Sequence, residues 1–290
     1  MMRDVTYGQI MREYELKLKK RLGQHFMLDP GLLASVSSIM VPDSSWVAVE
    51  IGAGLGTLTK ELCLRAQWVY ALELDKDLVE PVTAVTGSLT NLTWIWGDAL
   101  KYDLSGKNLR LSYPRSPLVL CGNLPYYVTS EVLYSALIPR SEWKRISFVV
   151  QEEVARRMAE PPGSREFSRL SLWCQYRGSV VIERRIPRGA FVPPPDVDSC
   201  LVTIDIADEF PLTVEEEGVL NEISRVAFSQ RRKTLLNTLA PLVGGKKELL
   251  SIEDISSIPL SKRPEELSLE EYIALAKGLT SIVPQGTKPQ

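Results

Sequence analysis

Histidine is nearly missing from this chain of 290 residues, and His25 is the only one. That removes histidine-rich metal sites and leaves a serine-type triad with one candidate for its base. Cysteine is sparse too. Cys63, Cys121, Cys174 and Cys200 lie far apart with no C-x-x-C pair, which argues against a zinc ribbon or a disulfide framework. Reduced, buried thiols and no metal are the expectation. Neither sign of charge is in large excess: a formal net charge of -2 and a pI near 5.7 exclude a uniformly basic nucleic-acid binder, so such a partner must be met by local patches. A long apolar run is lacking at the start, where Met1 to Lys20 interleaves Arg3, Asp4, Arg12, Glu13, Glu15 and Lys17. Neither a signal peptide nor a membrane anchor is expected there, and the chain reads as cytoplasmic. There is no internal repeat, and the one low-complexity stretch is a polar tail from about residue 284, expected to be disordered.

What is present starts with a basic cluster, Lys17, Lys19, Lys20 and Arg21, that runs directly into Leu22-Gly23-Gln24-His25-Phe26-Met27. A cationic arm abutting a glycine-containing loop suggests RNA beside a ligand. Asp29 and Pro30 read as N-cap and first residue of a helix with Leu32, Leu33, Val36 and Ile39 at helical spacing. A strand over Trp46 to Ile51 then meets Gly52-Ala53-Gly54-Leu55-Gly56 and an amphipathic helix to about Leu64. Such a turn lets backbone approach a ligand closely, and the helix start offers free N–H groups. A second strand, Trp68 to Leu74, carries Glu73, placed to accept both hydroxyls of a ribose. A third, Leu92 to Trp96, leads to Asp98, an acceptor for an adenine amino group. Three strand ends thus converge on a nucleoside. The Gly-Leu-Gly end of the turn and the acid after the third strand favour S-adenosylmethionine over a nicotinamide dinucleotide.

The fourth strand, over the apolar run from Pro117 to Leu120, ends in Asn123-Leu124-Pro125-Tyr126. An amide oxygen, a carbonyl of Leu124 or Pro125, and an aromatic face within one turn of chain suit a flat heterocycle bearing an amino group. Two fixed acceptors on the amine hydrogens favour a pyramidal nitrogen whose lone pair points outward. Further on, Phe191 precedes Val192 and consecutive prolines on a stiff loop, and beside the tetrad it reads as the second face of a base sandwich with Tyr126. An adenine held in a duplex cannot reach such a crevice, so the base must be splayed out.

Together these stretches resemble the rRNA adenine dimethyltransferases, a family spanning bacterial small-subunit enzymes, their eukaryotic and archaeal counterparts and the macrolide-resistance methylases. The matching pieces are Leu22 to Phe26, Val49 to Gly56, Leu72 to Asp75, Gly97 to Ala99, Gly122 to Tyr126, Gln151 to Arg157 and Phe191 to Ser199. The resemblance implies a doubly wound, Rossmann-like class I methyltransferase domain with a small all-α domain behind it. It also implies S-adenosylmethionine as donor, held at His25, Met27, Gly52, Glu73, Asp98 and Asn123, and two methylations of one adenine amine. Gly54 joins that set from the glycine turn. Met27 stands where leucine is usual, a volume-conserving change, and Ser168 where glycine is frequent.

Strands are also expected over Ile146 to Val150, Ser179 to Ile186 and Cys200 to Ile206, the last two as an antiparallel pair closing the sheet, with a helix over Gln151 to Met158 and a loop at Glu160 to Ser164. After Ile206 the pattern turns helical, with capping-box spacing at Thr213/Glu216 and Ser268/Glu271. The expected organisation is therefore a methyltransferase domain over residues 1–206, with a basic arm over 1–28, and a helical domain over 207–290. Arg156 and Arg157, and Arg231, Arg232 and Lys233, join Lys19, Lys20 and Arg21 as candidate RNA contacts. The reading is a monomeric dimethyltransferase acting on adenine of the small ribosomal subunit or its precursor rRNA. Its rivals are a large-subunit resistance methylase and a non-catalytic assembly or transcription factor that kept the fold.

Overall fold

The computed structural model describes residues 14, 23–138, 140–252, 255 and 257–283. The chain divides into two compact units, Met1–Ala155 with Val180–Ile206, and Arg156–Ser179 with Ala207–Gln290.

In the first unit, apolar β-rich runs form a sheet because both faces can be covered. A two-residue strand β1 (Phe26–Met27) precedes helix α1 (Pro30–Met40), whose Asp29 side chain accepts from the Leu32 amide at 2.6 Å. Strand β2 (Val47–Ile51) is buried along its whole length, as an interior parallel strand requires. There follow α2 (Thr57–Cys63), β3 (Trp68–Glu73), α3 (Val79–Thr86), β4 (Leu92–Trp96), α4 (Lys107–Ser112), β5 (Leu118–Asn123), α5 (Thr129–Leu137) and β6 (Arg145–Gln151). Helices α6 (Glu152–Ala159) and α7 (Arg169–Arg177) intervene before β7 (Gly178–Ile186), β8 (Phe191–Val192) and β9 (Ser199–Ile206).

Among the described residues the main sheet has seven strands in the order β4-β3-β2-β5-β6-β9-β7. Strands β2 to β6 pair in parallel, and β9 lies antiparallel to β6, with Val149 opposite Leu201. The expected closing pair therefore has β9 inside and β7 at the edge. From β2 the chain goes to β3 on one side, and after β4 it returns to β5 on the other. That reversal leaves a crevice between the ends of β2 and β5, the place where ligands bind in open α/β sheets. Leu33, Val36, Met40, Leu58, Leu62 and Val119 belong to the core beneath it. Strands β1 and β8 form a separate antiparallel ladder, Met27 opposite Phe191.

In the second unit, α8 (Val214–Ser229) and α11 (Leu269–Leu279) begin with the two capping boxes expected from Thr213 and Ser268, and α9 (Leu235–Leu239) and α10 (Lys246–Leu250) lie between them. The sequence placed residues 156–179 with the methyltransferase domain. They pack instead in this unit, because α7 turns its polar and aromatic groups onto α8: Arg169 Nη2 donates to Asn221 at 2.5 Å and Trp173 Nε1 to Ser224 at 3.3 Å. Ser168 caps α7 in a capping box with Ser171, a use for the serine that departs from the family pattern. Among the described residues no helix is long and apolar enough to cross a membrane.

Candidate active site

The crevice at the β2/β5 reversal is a cleft open to solvent in the first unit. His25, Met27, Gly52, Gly54, Glu73, Asp98, Asn123 and Pro125 all line it, so eight of the eleven catalytic and cofactor candidates meet in one place, while Leu124, Tyr126 and Phe191 are not part of its lining.

The glycine turn is shaped by backbone conformation. Gly52 and Gly54 have φ of +74° and +58°, the left-handed region that side chains disfavour. A Cβ on Gly54 would lie 2.7 Å from the Phe26 ring, so the strap of chain before α1 also requires glycine there. The turn is tied to the end of β3. Gly52 and Ala53 amides donate to the Leu72 carbonyl at 2.9 and 3.1 Å, and the Gly54 amide donates to Glu73 Oε2 at 2.8 Å. Glu73 Oε1 accepts from the Asp75 amide, also at 2.8 Å. Burial pushes the Glu73 carboxyl up from its ordinary range while these two amides pull it down. Each carboxylate oxygen keeps acceptor capacity beyond one bond. Asp98 caps a short helical turn through Oδ1, which accepts from Leu100 at 3.1 Å. A close glycine backbone and two acids at neighbouring strand ends fit a nucleoside with vicinal hydroxyls and an amino group.

Across the cleft, Asn123 ends β5. Its Nδ2 donates to the His25 main-chain carbonyl at 2.7 Å. Only the NH2 half of an amide can donate to a carbonyl, so this bond turns Oδ1 the other way as an acceptor. The Pro125 carbonyl is taken by the Val128 amide at 3.2 Å and the Thr129 hydroxyl at 3.1 Å, and so serves the first turn of α5. Tyr126 is half-buried, its hydroxyl 2.8 Å from Ser199 Oγ on β9 and its ring stacked on His25 with centroids 5.5 Å apart. Burial raises the Tyr126 phenol, which therefore remains protonated at neutral pH.

Phe191 is a correction. Expected to face Tyr126 as the other half of a sandwich, it is 1% exposed and sits in the core with Met27, while its neighbour Val192 points outward. Pairing with β1 sets that alternation: Phe191 lies opposite buried Met27, and successive side chains of a strand point to opposite faces, which turns Val192 the other way. The basic residues also divide. Lys19, Lys20 and Arg21 lie outside the described residues. Arg156, Arg232 and Lys233 are exposed and Arg157 is half-buried. Arg231 was expected beside Arg232 on a phosphate-facing surface, but it donates through Nη2 to the carbonyls of Arg165 and Phe167 at 2.7 and 2.8 Å.

Two residues of the site escaped the sequence reading. Glu50, just before the glycine turn, lines the cleft at 1% exposure, and Ser199, at the end of the Phe191 to Ser199 motif, anchors Tyr126. Both lay inside stretches already recognised, but an acid in a buried strand and a serine in a loop motif carry no signal of their own. Among the described residues no group of three His, Cys, Asp or Glu is placed to hold a metal.

Comparison with known proteins agrees with this geometry. A family model described as ribosomal RNA adenine dimethylase matches residues 15–280. A ribosomal RNA small subunit methyltransferase A of Clostridium botulinum (strain Loch Maree / Type A3) is 34% identical over 275 residues, covering 95% of this chain and 98% of the relative. The protein of the same name from Shewanella oneidensis is 34% identical over 89% of this chain and 93% of its own. In structure, a dimethyladenosine transferase from Plasmodium falciparum superposes with a TM-score of 0.72 at 24% identity, covering 89% of this chain and 99% of that one. The 23S rRNA methyltransferase ErmE gives 0.63 at 20% identity, covering 88% and 99%. These two show the fold, a class I methyltransferase sheet. The family match and the relatives' identity over nearly the whole chain go further: this chain belongs to the ribosomal RNA adenine dimethylase family.

Proposed function

We propose that this protein transfers methyl groups from S-adenosylmethionine to the exocyclic amine of an adenine in small-subunit (16S) ribosomal RNA, twice on one nitrogen, giving dimethyladenosine during ribosome biogenesis. The observation that carries the reading is the Asn123 amide, turned by the His25 carbonyl so that its oxygen is presented as an acceptor beside the cleft that Glu73 and Asp98 line. The relatives' names, small subunit methyltransferase A, favour that subunit over the large one.

When bound, S-adenosylmethionine supplies an electrophilic methyl group on a sulfonium. Glu73 would accept the two ribose hydroxyls and Asp98 the adenine amino group, Gly52 and Gly54 would allow close backbone approach, and His25 and Met27 would form part of the wall. On the substrate side the target base leaves its stack and lies against Tyr126. Asn123 Oδ1 takes one amine hydrogen. The Leu124 carbonyl takes the other, because that of Pro125 is already committed to Val128 and Thr129. This directs the nitrogen lone pair for in-line displacement, and positioning carries the catalysis. No strong base is needed, since the product ammonium is acidic and loses its proton readily. Arg156, Arg157, Arg232 and Lys233, with Lys19, Lys20 and Arg21, contribute local positive charge for phosphates in a chain whose net charge is -2. A ribosomal substrate supports a cytoplasmic location.

The test is transfer of labelled methyl to purified undermodified small subunits and, in parallel, to protein-free large-subunit RNA, with mass spectrometry of the nucleosides. Dimethyladenosine in the small-subunit sample alone is the expected result. Label confined to large-subunit RNA overturns the choice of subunit, and no label in either, with RNA bound, turns the protein into an assembly factor.

A further inference from the structure

His25 makes contacts that a cofactor wall does not need. Its main-chain carbonyl accepts from Asn123 Nδ2 at 2.7 Å. Its ring lies over Tyr126, with centroids 5.5 Å apart and planes inclined by 27°. Its Nδ1 is 2.8 Å from the Pro193 carbonyl, and because a carbonyl only accepts, Nδ1 is the nitrogen that carries the proton there. The next residue, Phe26, pairs with Val192 in the β1/β8 ladder. The imidazole is thus held by two contacts of its own, the Tyr126 ring and the Pro193 carbonyl, while the backbone on either side of it is tied to Asn123 and to β8.

Tyr126 is fixed in turn. Its hydroxyl meets Ser199 Oγ at 2.8 Å, and His25 covers one face of its ring, so a ligand stacked on this ring would take the opposite face. With Phe191 in the core, Tyr126 is the aromatic platform on which the stacking plane of the target depends. A phenol ring fixed at its Cβ and its hydroxyl can still rotate about the axis between them, and a planar neighbour bonded to Pro193 opposes that rotation.

We propose that the His25 imidazole is a positioning residue of the substrate side, bracing the Tyr126 ring in the plane on which the target adenine stacks, while its main-chain carbonyl sets the Asn123 amide. The inference rests on the methyl-transfer reading given above. It divides the two halves of one residue between two jobs, and they separate experimentally because a side-chain substitution leaves the carbonyl in place.

The experiment is single-turnover methyl transfer to undermodified small ribosomal subunits by the full chain, with dissociation constants for S-adenosylmethionine and for the subunits measured alongside. Since base–aromatic stacking is a sizeable share of holding an unstacked base, His25→Ala is expected to slow transfer about 10-fold. The dissociation constant for the subunits should stay within about twofold, and that for S-adenosylmethionine should rise by much less than the rate falls, because the ring is only one part of the cofactor wall. His25→Asn keeps a planar group with an N–H donor at the reach of Nδ1, and is expected to restore the rate to within about threefold of the unaltered protein. His25→Leu keeps bulk without plane or donor and should behave as His25→Ala, which secures the comparison if the alanine variant does not fold. Unimpaired transfer by both His25→Ala and His25→Leu overturns the brace. A cofactor dissociation constant that rises as far as the rate falls also overturns it and moves the ring to the cofactor side. Absence of transfer by the unaltered protein overturns the reaction itself, and the brace with it.

Discussion

Thr59 Oγ1 donates to the Glu50 carboxyl at 2.5 Å on the floor of the cleft, one hydrogen bond for a carboxyl that is 1% exposed. Burial is the main cause that pushes Glu50 up from 4.5 to about 8, with nearby Glu73 adding to it and Thr59 opposing. The unfolded chain releases this proton near the ordinary value, so between 4.5 and about 8 the native state holds one proton more than the unfolded state. Stability therefore falls as pH rises through that window and levels off above it, a change on the order of a few kcal/mol. Glu50→Gln cannot ionise and should lose this slope. Thermal denaturation from pH 5.5 to 8.5, chosen as roughly the window of the titration, should show the variant gaining on the unaltered protein as pH rises. Parallel curves would sink the idea of a protonated Glu50.

Removing Asn123 tests the acceptor geometry. Asn123→Ala deletes the oxygen aimed at the amine, and a loss on the order of 10²-fold in single-turnover methyl transfer is expected from a misplaced nucleophile. Filter binding of ribosomal RNA should barely change. Asn123→Asp is expected to do no better, because a carboxylate oxygen would then face the His25 carbonyl where Nδ2 now donates. Normal turnover by the alanine variant would refute the amine-orienting role.

Glu73 ties down the glycine turn, and in the proposed function it also holds the ribose of the cofactor, so its substitution has two readouts. Glu73→Gln turns an NH2 toward one of two amide donors, Gly54 or Asp75, and loosens the turn. Loss of such a bond costs about 1–3 kcal/mol, so calorimetry should show S-adenosylmethionine binding weakened by about 10-fold or more. An unchanged dissociation constant means that the ribose hydroxyls go elsewhere.

The parts of this structure legible in the sequence are those decided locally. Asp29 before Pro30, Thr213 with Glu216, and Ser268 with Glu271 mark helix starts because a cap needs only a few adjacent residues, and all three caps are present. The acids Glu73 and Asp98 are legible from their positions at the C-terminal ends of two recognisable strands. What stayed hidden was set by distant pairing. The inward turn of Phe191 depends on Met27, and the anchoring of Tyr126 depends on Ser199. Arg231 reads as a solvated cation until the carbonyls of Arg165 and Phe167 are brought to it. Nothing in the composition of residues 156–179 says that their partners lie beyond residue 206.

That last segment supplies a buried ion pair with a sharp energetic signature. Arg177 and Glu217, 1% and 4% exposed, meet in a bidentate pair at 2.9 and 3.0 Å. The guanidinium lies 5.3, 5.2 and 4.7 Å from the rings of Trp173, Tyr176 and Phe210, and the Tyr176 hydroxyl donates to Glu217 at 2.9 Å. Two charges taken out of water gain little net stability over an apolar pair, but removing one partner strands the other. Glu217→Ala or Arg177→Ala alone should therefore cost about 3–5 kcal/mol in denaturant unfolding. The joint replacement Arg177→Met with Glu217→Leu should cost much less than the sum, since it leaves no unpaired charge. All residues lining the cleft belong to the other unit, so cofactor affinity in the folded variants should be unchanged. Single variants as stable as the parent would show that water reaches this pair; additive losses would show that the two charges do not depend on each other.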